Sequence, residues 1–239
     1  MLSVRNINVF YDDFHILHDV SLEVGRGELV GVVGANGHGK STLLKAVCGL
    51  VPVSSGEIVY EGKSILNRNM SSLVGDGLVY VAEDRRLFPD MTVRENLLLG
   101  AFLGRGRERE EASLAHVFKL YPRLRERQQQ LARTLSGGEA QMLALGRGLM
   151  SAPALLAIDE PSLGLAPNLV EGMLETIAQL KREGTTILLV EQSLSLIEDV
   201  VDRIYQLEEG VISGGGPVRA AAAAAPRQQH PGAPGIAGE

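Results

Sequence analysis

Cysteine is almost missing from this chain: Cys48 is the only one in 239 residues. That excludes a disulfide framework and a cysteine zinc site, and Cys48, lying in an apolar stretch, reads as a small core residue. No apolar run approaches the roughly eighteen residues of a membrane span. The opening residues Met1-Leu2-Ser3-Val4-Arg5 lack the apolar region of a secretory signal, so the chain is expected neither to cross a membrane nor to leave the cytosol. Positive charge is scarce as well. Lys and Arg number 23 against 29 Asp and Glu, a formal net charge of −6, and no basic stripe argues for a nucleic-acid partner. The five histidines include no HExxH or other tight ligand spacing, which argues against a transition-metal site. What is present is 45% hydrophobic content, enough to bury a substantial core as one large domain or a core with a subdomain.

Short β-like runs, Leu2 to Val9 and Leu17 to Val24, are punctuated by Tyr11-Asp12-Asp13 and Gly25-Arg26-Gly27 and predict an antiparallel β region at the N-terminus. Continuous apolar runs at Leu155 to Ile158 and Thr186 to Val190 suit parallel strands covered on both faces. Between them, Val170, Met173, Leu174, Ile177 and Leu180 fall at helical spacing, so strand, helix and strand form a right-handed crossover. Residues 92–150 read as an inserted helical subdomain, starting at Thr92-Val93-Arg94-Glu95. After about residue 212 the chain turns to glycine, six alanines from Ala220 to Ala225, and a Pro/Gly/Gln-rich end. Residues 213–239 read as a disordered tail, with a functional tail as the alternative.

The segment Gly34-Ala35-Asn36-Gly37-His38-Gly39-Lys40-Ser41 fits the phosphate-binding P-loop pattern and stands between an apolar run and a helical one, as that pattern requires. Its glycines let backbone N–H groups and a helix N-terminus, through Thr42, face a phosphate chain. Lys40 would reach the β- and γ-phosphates of ATP and Ser41 would ligate Mg²⁺. Asp159 and Glu160 emerge at the C-terminal end of a predicted strand, where open α/β sheets place ligands. Asp159 suits Mg²⁺ through its water shell, and Glu160 suits the general base that deprotonates the attacking water. About a hundred residues after the P-loop stands Leu135-Ser136-Gly137-Gly138-Glu139, which could also be a helix N-cap.

With these motifs together, residues 1–212 resemble the ATP-binding subunits of ABC transporters. The resemblance implies an α/β P-loop NTPase core with a mixed, mainly parallel sheet, an N-terminal antiparallel β region and the helical subdomain inserted in the core. It also implies that two such ATPases face each other, so that Ser136, Gly137 and Gly138 touch the γ-phosphate bound by the partner. Tyr11 stands where the family carries the aromatic that stacks on adenine. A strand aromatic of no special role is the other reading of that residue.

Three departures narrow the resemblance. Glu83, in Val81-Ala82-Glu83-Asp84-Arg85-Arg86, replaces the usual Gln that contacts Mg²⁺ and the membrane subunit. Gln192 replaces a switch His and can still donate to a γ-phosphate, but cannot titrate near neutrality. Ala166 replaces an Asp that contacts the partner site. Together they look like the smaller ATPase of branched-chain amino acid importers. That resemblance implies a second ATPase subunit in a homo- or heterodimer, two integral membrane permeases, and an extracytoplasmic solute-binding protein acting indirectly. It places the chain peripherally on the cytoplasmic face of the membrane. Importers of urea, amides or other small solutes, and soluble ABC ATPases without a transport role, are the alternatives.

Overall fold

The computed structural model describes residues 1–218. Strands β1 (Leu2–Tyr11) and β2 (Phe14–Val24) open the chain, and β3 (Leu29–Val33) runs through a glycine-rich loop into helix α1 (Lys40–Val47). Strands β4 (Ser55–Tyr60) and β5 (Lys63–Ser64) return to the first two, and α2 (Met70–Gly75) leads into β6 (Leu78–Val81). A helical stretch follows: α3 (Val93–Gly100), α4 (Gly104–Glu108), α5 (Glu110–Leu120), α6 (Pro122–Glu126) and α7 (Gly137–Met150). The chain then alternates β7 (Leu155–Asp159), α8 (Pro167–Arg182), β8 (Thr186–Glu191), α9 (Leu194–Ile197), β9 (Arg203–Glu208) and β10 (Val211–Pro217).

Two sheets result. One is antiparallel in the order β2-β1-β4-β5, and the other runs β10-β9-β3-β8-β7-β6, parallel except where β10 pairs antiparallel with β9. Every residue of β3, β7 and β8 is buried, because both faces of the large sheet are covered. Period-two alternation divides their side chains. Val30, Val32, Leu155, Ala157, Leu188 and Val190 pack toward α1 and the antiparallel sheet. Leu29, Val33, Leu156, Ile158, Ile187 and Leu189 pack toward α7 and α8. Since β3, β8 and β7 are neighbours, their C-terminal ends bring the glycine-rich loop, Asp159 at the end of β7 and Glu160 just after it to one rim.

The last strand extends the ordered chain past the expected boundary at 212. Gly214, Gly215 and Gly216 pair with Gln206, Tyr205 and Ile204, because ladder pairing uses backbone groups and needs no side chain. The alanine run and the rest of the expected tail, 219–239, lie outside the described residues.

Helix α3 begins with a capping box. Glu95 N donates to Thr92 Oγ1 at 3.1 Å, and Thr92 N donates to Glu95 Oε2 at 2.7 Å, satisfying two amides at the helix start. Thr92→Ala is expected to lower unfolding free energy by about 1 kcal/mol, measured by urea denaturation, and an unchanged midpoint and slope would show the cap to be dispensable.

Candidate active site

The loop after β3 depends on two glycines. A Cβ on Gly34 would lie 2.2 Å from Leu207 O, so any other residue would push the loop off β9. Gly39 has φ 97° and precedes α1 without supplying a side-chain cap. The first helical bond is Leu43 N to Gly39 O at 2.9 Å, which leaves the amides of Lys40, Ser41 and Thr42 free to meet an anion.

Lys40, only 3% exposed, donates from Nζ to Ala35 O at 3.1 Å and pairs with Glu160 Oε1 at 2.8 Å. Ser41 Oγ donates to Asp159 Oδ1 at 2.9 Å. Glu160 follows β7 in the left-handed backbone region, with φ 39°, an uncommon conformation for a side chain of this size. Its amide donates to Val190 O at 3.0 Å, so pairing with β8 holds the turn that aims the carboxylate back at Lys40. A cavity of about 370 Å³ opens above these groups, lined by Asn36, Gly37, Gly39, Lys40, Ser41 and Thr42 with Glu83 and Glu160. Tyr11 and Ile16 from the β1–β2 hairpin line it as well, with Tyr11 43% exposed.

A model of the ABC transporter family matches residues 17–163. The chain belongs to the ABC transporter ATP-binding family. It is 47% identical over 212 residues to the high-affinity branched-chain amino acid transport ATP-binding protein BraG of Pseudomonas aeruginosa, covering 89% of this chain and 91% of that protein. A probable branched-chain amino acid transport ATP-binding protein, LivF of Archaeoglobus fulgidus, is 34% identical across 90% of this chain and 92% of its own length. Among solved structures, the ADP conformation of an ATP-binding cassette of an ABC transporter superposes with a TM-score of 0.79 at 27% identity, covering 94% of this chain and 95% of the other. A nucleotide-free ATP-binding cassette from an ABC transporter gives 0.81 at 28% identity, over 95% and 96%.

In this ABC ATPase the remaining expected site residues lie elsewhere. Ser136 and Gly137 are exposed at the start of α7, while Gly138 is buried; all three are outside the cavity, and a Ser136–Glu139 capping box fixes them. Gln192 is also exposed and outside the cavity. Gln192 lies one residue past the end of β8, beyond the stretch that is buried on both faces. Glu191 turns inward, where its carboxylate accepts from Ser162 N at 3.0 Å and Ser162 Oγ at 2.8 Å, and the next residue faces solvent.

Sequence reasoning missed two groups. Tyr80 donates its hydroxyl to Asp159 Oδ2 at 2.7 Å, so both oxygens of Asp159 are held, and the Glu191–Ser162 clasp pins the loop after Glu160. Tyr80 sits in an ordinary apolar strand run, and only the register of β6 on β7, with Tyr80 opposite Ala157, brings it to the acid. The oxygen-only set of Ser41, Asp159 and Glu83 suits a hard divalent cation. No cluster of three or more His, Cys, Asp or Glu among the described residues could hold a metal alone, so a cation here would share its shell with nucleotide phosphates.

Electrostatics agree with that chemistry. Burial raises the Asp159 carboxyl against the lowering effect of its two hydroxyl donors. Burial, followed by the charges of Glu160 and Asp159, raises Glu83. A carboxyl raised on folding stabilises the chain below its ordinary value, and that stability is lost as pH rises through the folded value. Asp159→Asn is therefore expected to raise the thermal midpoint of the nucleotide-free protein at neutral pH while weakening the Mg²⁺ dependence of nucleotide binding. Scanning calorimetry together with nucleotide titration checks both, and a lowered midpoint would contradict the electrostatic account.

Proposed function

We propose that this chain is the ATP-binding and ATP-hydrolysing subunit of an importer for branched-chain, hydrophobic amino acids. The observation that carries the hydrolytic part is the buried Lys40–Glu160 pair at the rim of the sheet, 2.8 Å apart. The similarity to BraG over most of both chains supports the solute class.

ATP enters along the glycine-rich loop, with its adenine against Tyr11 and its phosphates on the free amides of α1. Lys40 exchanges its bond to Glu160 for the β- and γ-phosphate oxygens. The released Glu160 carboxylate then takes a proton from water as the water oxygen bonds to the γ-phosphorus and the bond to the β–γ bridging oxygen breaks. Ser41 and Asp159, with Glu83 beside them, would hold magnesium. When bound, that ion neutralises charge on the β- and γ-phosphate oxygens. Tyr80 keeps one oxygen of Asp159 fixed throughout.

The Ser136–Gly138 segment, exposed at Ser136 and Gly137, suits a nucleotide held by a second ATPase subunit, whether a copy of this chain or a related one. An apolar groove of about 580 Å³ beside the Glu83 loop exposes Phe88, Leu99 and Phe102 and is bordered by Arg85 and Arg86. It suits a segment of a membrane permease, which would hold the chain peripherally at the cytoplasmic face. The solute-binding protein would act on the permeases alone.

Glu160→Gln is expected to lower turnover by about 10²- to 10⁴-fold while retaining ATP affinity, read by steady-state hydrolysis and equilibrium binding; undiminished hydrolysis would remove Glu160 from its role. Affinity purification from native membranes should recover a second ATPase with two hydrophobic permeases, and a wild-type complex reconstituted in vesicles should take up leucine, isoleucine or valine. Recovery of ribosomal or DNA-repair proteins in place of permeases would refute the transport reading.

A further inference from the structure

Asp159 is 1% exposed, and each of its carboxylate oxygens is taken by a hydroxyl from a different element. Ser41 Oγ, in the first turn of α1, donates to Oδ1 at 2.9 Å, and the Tyr80 hydroxyl, from β6, donates to Oδ2 at 2.7 Å. An ionised carboxylate only accepts, so the direction of both bonds is fixed. The sheet sets the second of them. Tyr80 pairs with Ala157, two residues before Asp159, and period two places all three side chains on one face, so the phenol reaches along that face to the acid. Its ring packs against the core there and lines the apolar groove beside Leu50, Met70 and Val74.

The carboxylate is therefore held at one oxygen by α1 and at the other by β6. It cannot turn to lay both oxygens on one cation without giving up the Tyr80 bond. That restriction separates two hard cations of the same charge. Magnesium demands near-ideal octahedral geometry and keeps several of its waters, whereas calcium takes about six to eight oxygens in flexible geometry and commonly grips a carboxylate by both.

We propose that Tyr80 makes this site selective for magnesium over calcium, by denying Asp159 the two-oxygen grip that suits the larger cation. The inference rests on the reading of Ser41, Asp159 and Glu83 as the magnesium site, and adds which cation that site rejects and which residue rejects it. Glu83 is solvent-exposed, so the discrimination falls to the buried acid. Tyr80 acts through Asp159 and is a positioning residue. Hydrogen-bond partners of this kind tune the affinity of a metal site about 10- to 100-fold.

The test measures equilibrium binding of ADP, which avoids turnover, to the full chain by calorimetry without metal, with Mg²⁺ and with Ca²⁺. The wild type is expected to hold ADP more tightly with Mg²⁺ than with Ca²⁺. Tyr80→Phe keeps the ring and removes only the hydroxyl, and its binding of metal-free ADP reports that the cavity is formed. In that variant the preference for Mg²⁺ over Ca²⁺ should narrow about tenfold, through weaker binding with Mg²⁺. Each cation's own affinity for ADP is common to both proteins and cancels from the comparison. A wild type without the preference, or a preference unchanged in Tyr80→Phe, would overturn the proposal while leaving the magnesium reading in place. Equal weakening with both cations would overturn it as well, since Tyr80 would then support affinity and not selectivity. Binding to the wild type that neither cation alters would remove the magnesium reading and the proposal together.

Discussion

Lys40 and Glu160 are each almost fully out of water, and neither charge could be there without the other. Removing one partner from such a pair leaves an uncompensated buried ion, which is far costlier than the pair itself. The fold is arranged so that they meet. Lys40 belongs to the first residue of α1, fixed by the loop after β3, and Glu160 to the turn after β7, with β8 between the two strands. Residues 120 positions apart in the chain are brought together by strand order alone. On the proposed reading, the incoming triphosphate competes with a carboxylate for the same ammonium, and the carboxylate that it displaces is the base that acts next.

The Glu83 loop and the Ser136–Gly138 segment depend on a single helix. Arg147, near the end of α7, donates to Arg85 O at 2.8 Å and to Arg86 O at 2.6 Å, and Gln141 takes the Arg85 side chain. Arg85 and Arg86 both have positive φ, a conformation that persists only where surrounding bonds impose it. The helix whose first turn carries the Ser-Gly-Gly segment thus clamps the loop beside Asp159 and Glu160. A shift of α7 as a rigid body would move both.

What the sequence made legible was local. The glycine-rich loop, the acids after β7, the Thr92 capping box and the crossover through α8 each declare themselves within a few residues, through glycine spacing, strand ends, caps and period. Tyr80, the inward turn of Glu191 and the outward turn of Gln192 depend on register or on which way a strand end faces, and no short window carries that. The strand Val211–Pro217 was hidden for another reason. Its glycines have the composition of a linker, but β9 offers a free edge, and backbone pairing there does not ask what the side chains are.

The twin caps of α3 and α7 have a consequence for acid conditions. Glu95 and Glu139 are held below the ordinary glutamate range, chiefly by the backbone amides of Thr92 and Ser136, while Asp159 and Glu83 are held above theirs by burial. Among the three glutamates, the cavity residue Glu83 therefore titrates above the two capping ones. As pH falls, Glu83 in the cavity lining takes up its proton before Glu139 does, so Glu139 still caps α7 and keeps the Ser-Gly-Gly segment in shape. In falling pH the nucleotide cavity would lose charge at Glu83 while the cap of α7 still stands.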